Sequence, residues 1–171
     1  MDKEIKYWAE NVLNRNTKLF LSEIDNLIDK QGVGRLLAEY KKREEKKKEQ
    51  KAAEQKAEKR KKIPGRTQFK TLMDAARKAS CIEELLLFLA YQKSKKQGWD
   101  TNCEDGEDIA KKLTDSFMKV QDEVYACIEQ ENGANEISGD DERLLRLMIA
   151  EKYLGYLYWK ASVAGGFREE S

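Results

Sequence analysis

Two groups of side chains in this chain have the types and spacing to hold an anionic polymer. Arg66, Gln68, Lys70, Arg77 and Lys78 follow one another at helical spacing, and Tyr91, Gln92, Lys93, Lys95, Lys96 and Trp99 cluster where a second helix should end. Lys and Arg pair with phosphates, Gln and Tyr hydrogen-bond sugar hydroxyls, and exposed rings stack on bases. The combination fits a nucleic-acid backbone held without base reading. The same residues have a plainer reading: lysines at a helix C-terminus complement its dipole, and Tyr91 and Trp99 serve equally well as core.

Other chemistries find little to work with. The chain has no histidine, which removes the Ser-His-Asp and Cys-His arrangements and the commonest general base at neutral pH. Cys81, Cys103 and Cys127 are odd in number and widely spaced, so neither a disulfide framework nor a zinc site is expected. The segment Asp100-Thr101-Asn102-Cys103-Glu104-Asp105-Gly106 has a superficial likeness to a calcium loop. It places Asp105 where such a loop needs glycine and Lys111 where it needs its last glutamate. Gly32-Val33-Gly34 lacks the preceding strand and third glycine of a dinucleotide site. The sequence therefore predicts no enzyme, no metal and no cofactor.

Charge is segregated along the chain. The formal net charge is +1, yet Lys41 to Lys70 holds 14 basic and 5 acidic residues, and Cys81 to Glu142 holds 6 basic and 16 acidic ones. Local fields act within a Debye length of ~8–10 Å, so the faces matter more than the total. No apolar run reaches the ~18 residues of a membrane span. Met1-Asp2-Lys3-Glu4 opens no basic and apolar leader, so a cytoplasmic location without membrane partners is expected.

The elements that must position these residues read as all-α: a compact bundle of about five helices with a charged arm. Residues 1–37 show apolar positions at spacings of three and four, with Asn14-Arg15-Asn16-Thr17 as a possible break. Residues 38–65 form a Lys/Glu-rich arm, either a solvated helix or disordered, closed by Ile63-Pro64-Gly65. Residues 66–171 hold the rest of the bundle. Thr67 is the expected N-cap of a helix burying Phe69, Leu72, Met73 and Ala76. Ser80 to Glu83 has the capping-box pattern of the next helix, which should run to about Lys96 before Gly98. Ile109, Leu113, Phe117, Val120, Val124 and Ile128 trace one stripe of a helix of about 22 residues. The last helix, from about Asp140 to Ala164, is apolar on most sides, as expected of a helix that is central in its bundle and shared with another subunit. Gly155 within it predicts a close backbone approach.

The order of these motifs carries a resemblance. Thr67-Gln68-Phe69-Lys70, then an apolar helix ending Phe88-Leu89-Ala90-Tyr91-Gln92-Lys93, then Trp99 and a final Leu154-Gly155-Tyr156-Leu157 helix resemble the small helical subunit of type III CRISPR-Cas effector complexes. The likeness covers Arg66 to about Val163. It departs from the family's pattern at Ala90, where a basic residue is expected, and at Ser94, where glycine is common. It implies a non-catalytic helical bundle whose partners are guide RNA and target RNA, larger effector subunits and copies of itself. Among site residues it implicates Gln68, Lys70, Tyr91, Gln92, Lys93 and Lys95, joined by Arg143 and Arg146 ahead of the Leu-Gly-Tyr helix. The other reading is a protein-interaction adaptor, in which the apolar last helix docks to a partner, the charged arm is a spacer and no RNA is touched.

Overall fold

The computed structural model describes residues 1–49, 61–133 and 135–167. Seven α-helices occur among them: α1 Lys3–Arg15, α2 Thr17–Asp25, α3 Val33–Glu49, α4 Arg66–Lys78, α5 Ile82–Ser94, α6 Ile109–Asn132 and α7 Gly139–Gly165. The all-helical class is as expected, and the larger number of helices comes from the N-terminal third. The side-chain amide of Asn16 donates to Val12 O at 2.7 Å, and Thr17 Oγ1 donates to Asn14 O at 2.8 Å. These short polar groups compete for helix carbonyls and separate α1 from α2. A π-helical turn, Asn26–Lys30, and Gly32 at φ +87° then redirect the chain into α3.

Helix α7 packs against each of the other six helices and forms the axis of the bundle. Its start is fixed by Ser138 Oγ, which accepts the Asp141 N–H at 3.2 Å, with Asp140, Asp141 and Glu142 in the first turn, where the dipole favours acids. Its end is fixed by Gly166 in the left-handed conformation. The predicted stripe of α6 is buried at every position, Ile109, Leu113, Phe117, Val120, Val124 and Ile128. Tyr153, fully buried on α7, donates its hydroxyl to Ser116 Oγ on α6 at 2.8 Å, and burial pushes that phenol well above its ordinary range.

One core cluster runs through the chain. Val12, Phe20, Ile24, Leu27, Ile28 and Leu37 from the first 37 residues meet Phe69, Leu72, Leu85 and the α6 and α7 stripes. In the arm, α3 continues as helix to Glu49, and residues 50–60 lie outside the described residues. Helix α4 starts two residues earlier than predicted: Gly65, not Thr67, is its N-cap, and Gln68 Oε1 accepts the Gly65 N–H at 2.9 Å. A Cβ at Gly65 would lie 2.8 Å from the Tyr40 ring, so the start is set by a tertiary contact. At α5 the N-cap is Cys81, and Glu84 rather than Glu83 reaches back, accepting the Ser80 N–H at 2.7 Å.

One glycine expectation is corrected. Gly155 marks no close approach, because a Cβ there would meet nothing within 4 Å. Gly98 does: at φ +118° it lies so near the Ile63-Pro64 backbone that a Cβ would fall 2.5 Å from Pro64 N.

Candidate nucleic-acid interface

The site residues are placed by two antiparallel pairings. Helices α4 and α5 form a hairpin through Ala79–Cys81, which returns the C-terminus of α5 to the N-terminus of α4. Helix α4 runs against α7 in the opposite direction, since Arg66 Nε donates to the Tyr158 hydroxyl at 3.4 Å while Arg143 donates to Ser80 O at 2.6 Å. Arg66, Gln68, Lys70 and the segment Tyr91–Trp99 therefore share one end of the bundle. Arg77, Arg143 and Arg146 belong to the other end, separated by the length of α4, ~20 Å at ~1.5 Å per residue.

At the first end, exposed Lys70 and Lys96 make no ion pair among the described residues. Lys95 sits 4.6 Å above the centroid of the Tyr91 ring, which is 56% exposed. That contact holds the ammonium without neutralising it, since a ring offers only its quadrupole. Lys96 adopts φ +53°, so the chain turns sharply there and carries the lysine pair off the helix end. Lys61 and Lys62 are exposed beside them, and Thr101 Oγ1 donates to Lys62 O. By sequence these two belong to the arm, residues 38–65. The signal for them was the run of positive charge reaching Ile63-Pro64, and only the fold joins it to α4.

Of the remaining cations, exposed Lys78 lies at the far end of α4, and Lys93, Arg77 and Arg146 are already occupied. Lys93 pairs with Asp108 at 2.7 Å. Burial pushes the Asp108 carboxyl up, but the Lys93 hydrogen bond and the Lys111 N–H outweigh this and hold it below the ordinary carboxylate range. Arg77 pairs with Asp74 at 3.4 Å. Arg146 bonds Glu142 at 3.0 Å, reaches Asp122 at 3.6 Å and stacks 4.3 Å from the Tyr125 ring centroid. Gln68 is committed to its cap and Gln92 is half-buried. A phosphate at any of the paired cations must displace a carboxylate before it gains anything, so these positions contribute less than an unpaired lysine does.

Trp99 is no stacking platform: it is 1% exposed, with its ring 5.0 Å edge-on from Phe69. Its carbonyl accepts the Ala110 N–H at 2.9 Å. The loop that follows folds over Lys112, whose side chain is 5% exposed and whose ammonium pairs with Asp105 and, at 3.9 Å, Glu107. The acidic segment that superficially matched a calcium loop is thus held by an internal lysine.

Among the described residues no group of three or more His, Cys, Asp or Glu side chains is placed to hold a metal ion, and no helix is long and apolar enough to cross a membrane. Fold and surface together define an all-α bundle with unpaired lysines and one exposed tyrosine at one end. Compared with family models, curated proteins and solved structures, the chain matches none.

Proposed function

We propose that this chain is a non-catalytic subunit that holds RNA by its sugar-phosphate backbone, in the manner of the small helical subunit of type III CRISPR effector complexes. It packs against larger subunits and further copies of itself. The observation that carries the reading is the clustering of Lys70, Lys95, Lys96, Lys61 and Lys62 with Tyr91 at the end of the bundle where the α4–α5 hairpin opens. Each unpaired lysine neutralises a phosphate and releases counterions, so affinity depends steeply on salt and weakly on sequence. Arg66 takes part from its place beside Tyr158. Guide and target RNA, cytoplasmic location and a role in antiviral defence belong to the same proposal.

The test is Lys70→Glu, Lys95→Glu and Lys96→Glu combined, assayed by retention of labelled single-stranded RNAs of unrelated sequence by the native complex. Loss of three phosphate contacts should lower the slope of log K against log salt by about 2. Unchanged retention at moderate salt, with the far-UV CD spectrum intact, refutes the reading.

A second reading is favoured by a different observation. Leu87, Trp159 and Val163 are 72%, 67% and 79% exposed, which suits a protein-docking adaptor. A native complex that copurifies without RNA, and whose Tyr91 gives no photoadduct with added RNA, supports the adaptor.

A further inference from the structure

Lys61 and Lys62 stand just ahead of α4, and their backbone carbonyls are both taken by side chains of other segments. Arg43 on α3 donates to Lys61 O, and Thr101, in the loop between α5 and α6, donates its hydroxyl to Lys62 O. The two lysines are exposed, whereas Ile63 and Pro64, which follow them, are buried. The core therefore anchors the chain at Ile63 without help. Two side-chain donors placed upstream of that anchor hold residues that bury nothing, so what they fix is the position of two charges.

Thr101 is itself held firmly enough to act as a pin. It is 8% exposed, its N–H donates to Gly98 O at 3.0 Å, and its carbonyl accepts the Ile109 N–H at 3.0 Å. These bonds tie the loop to the start of α6. On its other side the loop lies against the Ile63-Pro64 backbone at Gly98, where a Cβ would fall 2.5 Å from Pro64 N. Lys95 and Lys96 lead directly into this loop. One piece of chain thus carries Lys95 and Lys96 at its start and grips Lys62 from its middle.

We propose that Thr101 and Arg43 are positioning residues for the phosphate backbone, holding Lys61 and Lys62 in fixed register with Lys95 and Lys96. The inference rests on the RNA-binding reading and deepens it, since it names the groups that act on the ligand only through the lysines. A lysine on loose backbone must be ordered when it binds, and that ordering opposes affinity. The pins meet this cost during folding. The charge offered to the ligand is the same with or without the Thr101 hydroxyl, and only its placement changes.

The test is a double-mutant cycle on retention of a labelled oligouridine by the native complex. Thr101→Val keeps the shape of the side chain and every charge, and should weaken retention about tenfold. Thr101→Ser keeps the donor and should bind like the wild type. Lys61→Gln with Lys62→Gln removes two phosphate contacts and should lower the slope of log K against log salt by about 1.4. In that background Thr101→Val should have no further effect, whereas a general loosening of the fold would weaken both backgrounds alike. Arg43→Met should follow the same pattern, since a direct contact of its own with RNA would persist without the lysines. In the purified full-length chain without RNA, amide hydrogen exchange across residues 61–63 should quicken in Thr101→Val and not in Thr101→Ser. The proposal is overturned by a Thr101→Val variant that retains RNA like the wild type, by equal losses in both backgrounds, by a Thr101→Ser variant that fails as the valine does, or by unchanged exchange. If the Lys70/Lys95/Lys96 variant weakens retention and the Lys61/Lys62 variant does not, this inference falls and the functional reading stands. If neither variant changes retention, both fall.

Discussion

Trp99→Ala separates a core residue from a nucleic-acid platform, because the two roles predict different losses. In the fold the indole is 1% exposed and meets Phe69 edge-on at 5.0 Å, and Phe69 in turn lies 5.8 Å from Phe167. Deleting a buried indole removes its transfer free energy and leaves a cavity, at a cost of about 3–5 kcal/mol. In a chain of this size each kcal/mol moves the melting temperature by about 2–4 °C, so the midpoint should fall by roughly 6–20 °C. Urea unfolding followed by far-UV CD gives the free energy directly, with the slope unchanged if only native-state packing is lost. Acrylamide quenching supplies a second readout: of the buried Trp99, half-buried Trp8 and exposed Trp159, the accessible fluorescence should fall most in Trp159→Phe and persist in Trp99→Phe. A loss below about 1 kcal/mol for Trp99→Ala refutes the packing argument, since such a small cost marks a surface site. RNA photoadducts on Trp99 in a protein of unchanged stability refute it independently.

Two further predictions follow from single contacts. The buried Lys112 ammonium hydrogen-bonds Asp105, raising the lysine pKa and lowering that of the aspartate. The Asp105 contribution is present above its unfolded pKa of about 3.9 and is lost as pH falls through the lower folded value. The Lys112 contribution is present below about 10.4 and is lost as pH rises through the raised folded value. Lys112→Met should therefore flatten the stability profile at both extremes, and thermal melts at acid, neutral and alkaline pH check this. Wild-type and variant profiles that run parallel would refute the linkage. Gly155→Ala should stabilise the protein by about 0.5–1 kcal/mol, because an added Cβ in mid-helix meets nothing. A lower melting temperature would show that the position is closed.

The parts of the fold legible in the sequence are those fixed within one helix. The α6 stripe is readable because six apolar residues at spacings of three and four leave one face to bury, and the extent of α7, expected from about Asp140 to Ala164, is within a residue of the observed Gly139–Gly165 because the apolar run itself marks it. Where another segment decides, sequence reasoning misplaced the element. The start of α4 depends on the Tyr40 ring, 25 residues away, pressing on Gly65. The π-helical turn at Asn26–Lys30 has no compositional mark, and Gly155 looks the same in sequence whether its surroundings are packed or open. Trp99 was ambiguous from the outset, because a ring after a run of lysines has the same pattern in a core as on a surface.

For the candidate site the limit is sharper, because the deciding property is whether a cation already has a partner. Lys93, Lys95 and Lys96 are near neighbours in sequence, yet Lys93 faces Asp108 across the α5–α6 loop while Lys95 and Lys96 face solvent. Arg143 and Arg146 have the same local pattern as Lys70 would on another helix, but α7 presents them to its own first-turn acids and to the α5 start. Acids in the first turn of a helix stabilise it through the dipole, and arginines one turn later then pair with them. The helix-stabilising charge pattern of α7 thus consumes the cations that the resemblance assigned to RNA. At the opposite end of the bundle the dipole works the other way. The C-terminus of α5 favours lysines for its own sake and supplies no acids to neutralise them, so Lys95 and Lys96 keep their charge for a ligand. The polarity of the helices, and not the count of basic residues, makes one end of this molecule the better surface for a phosphate backbone.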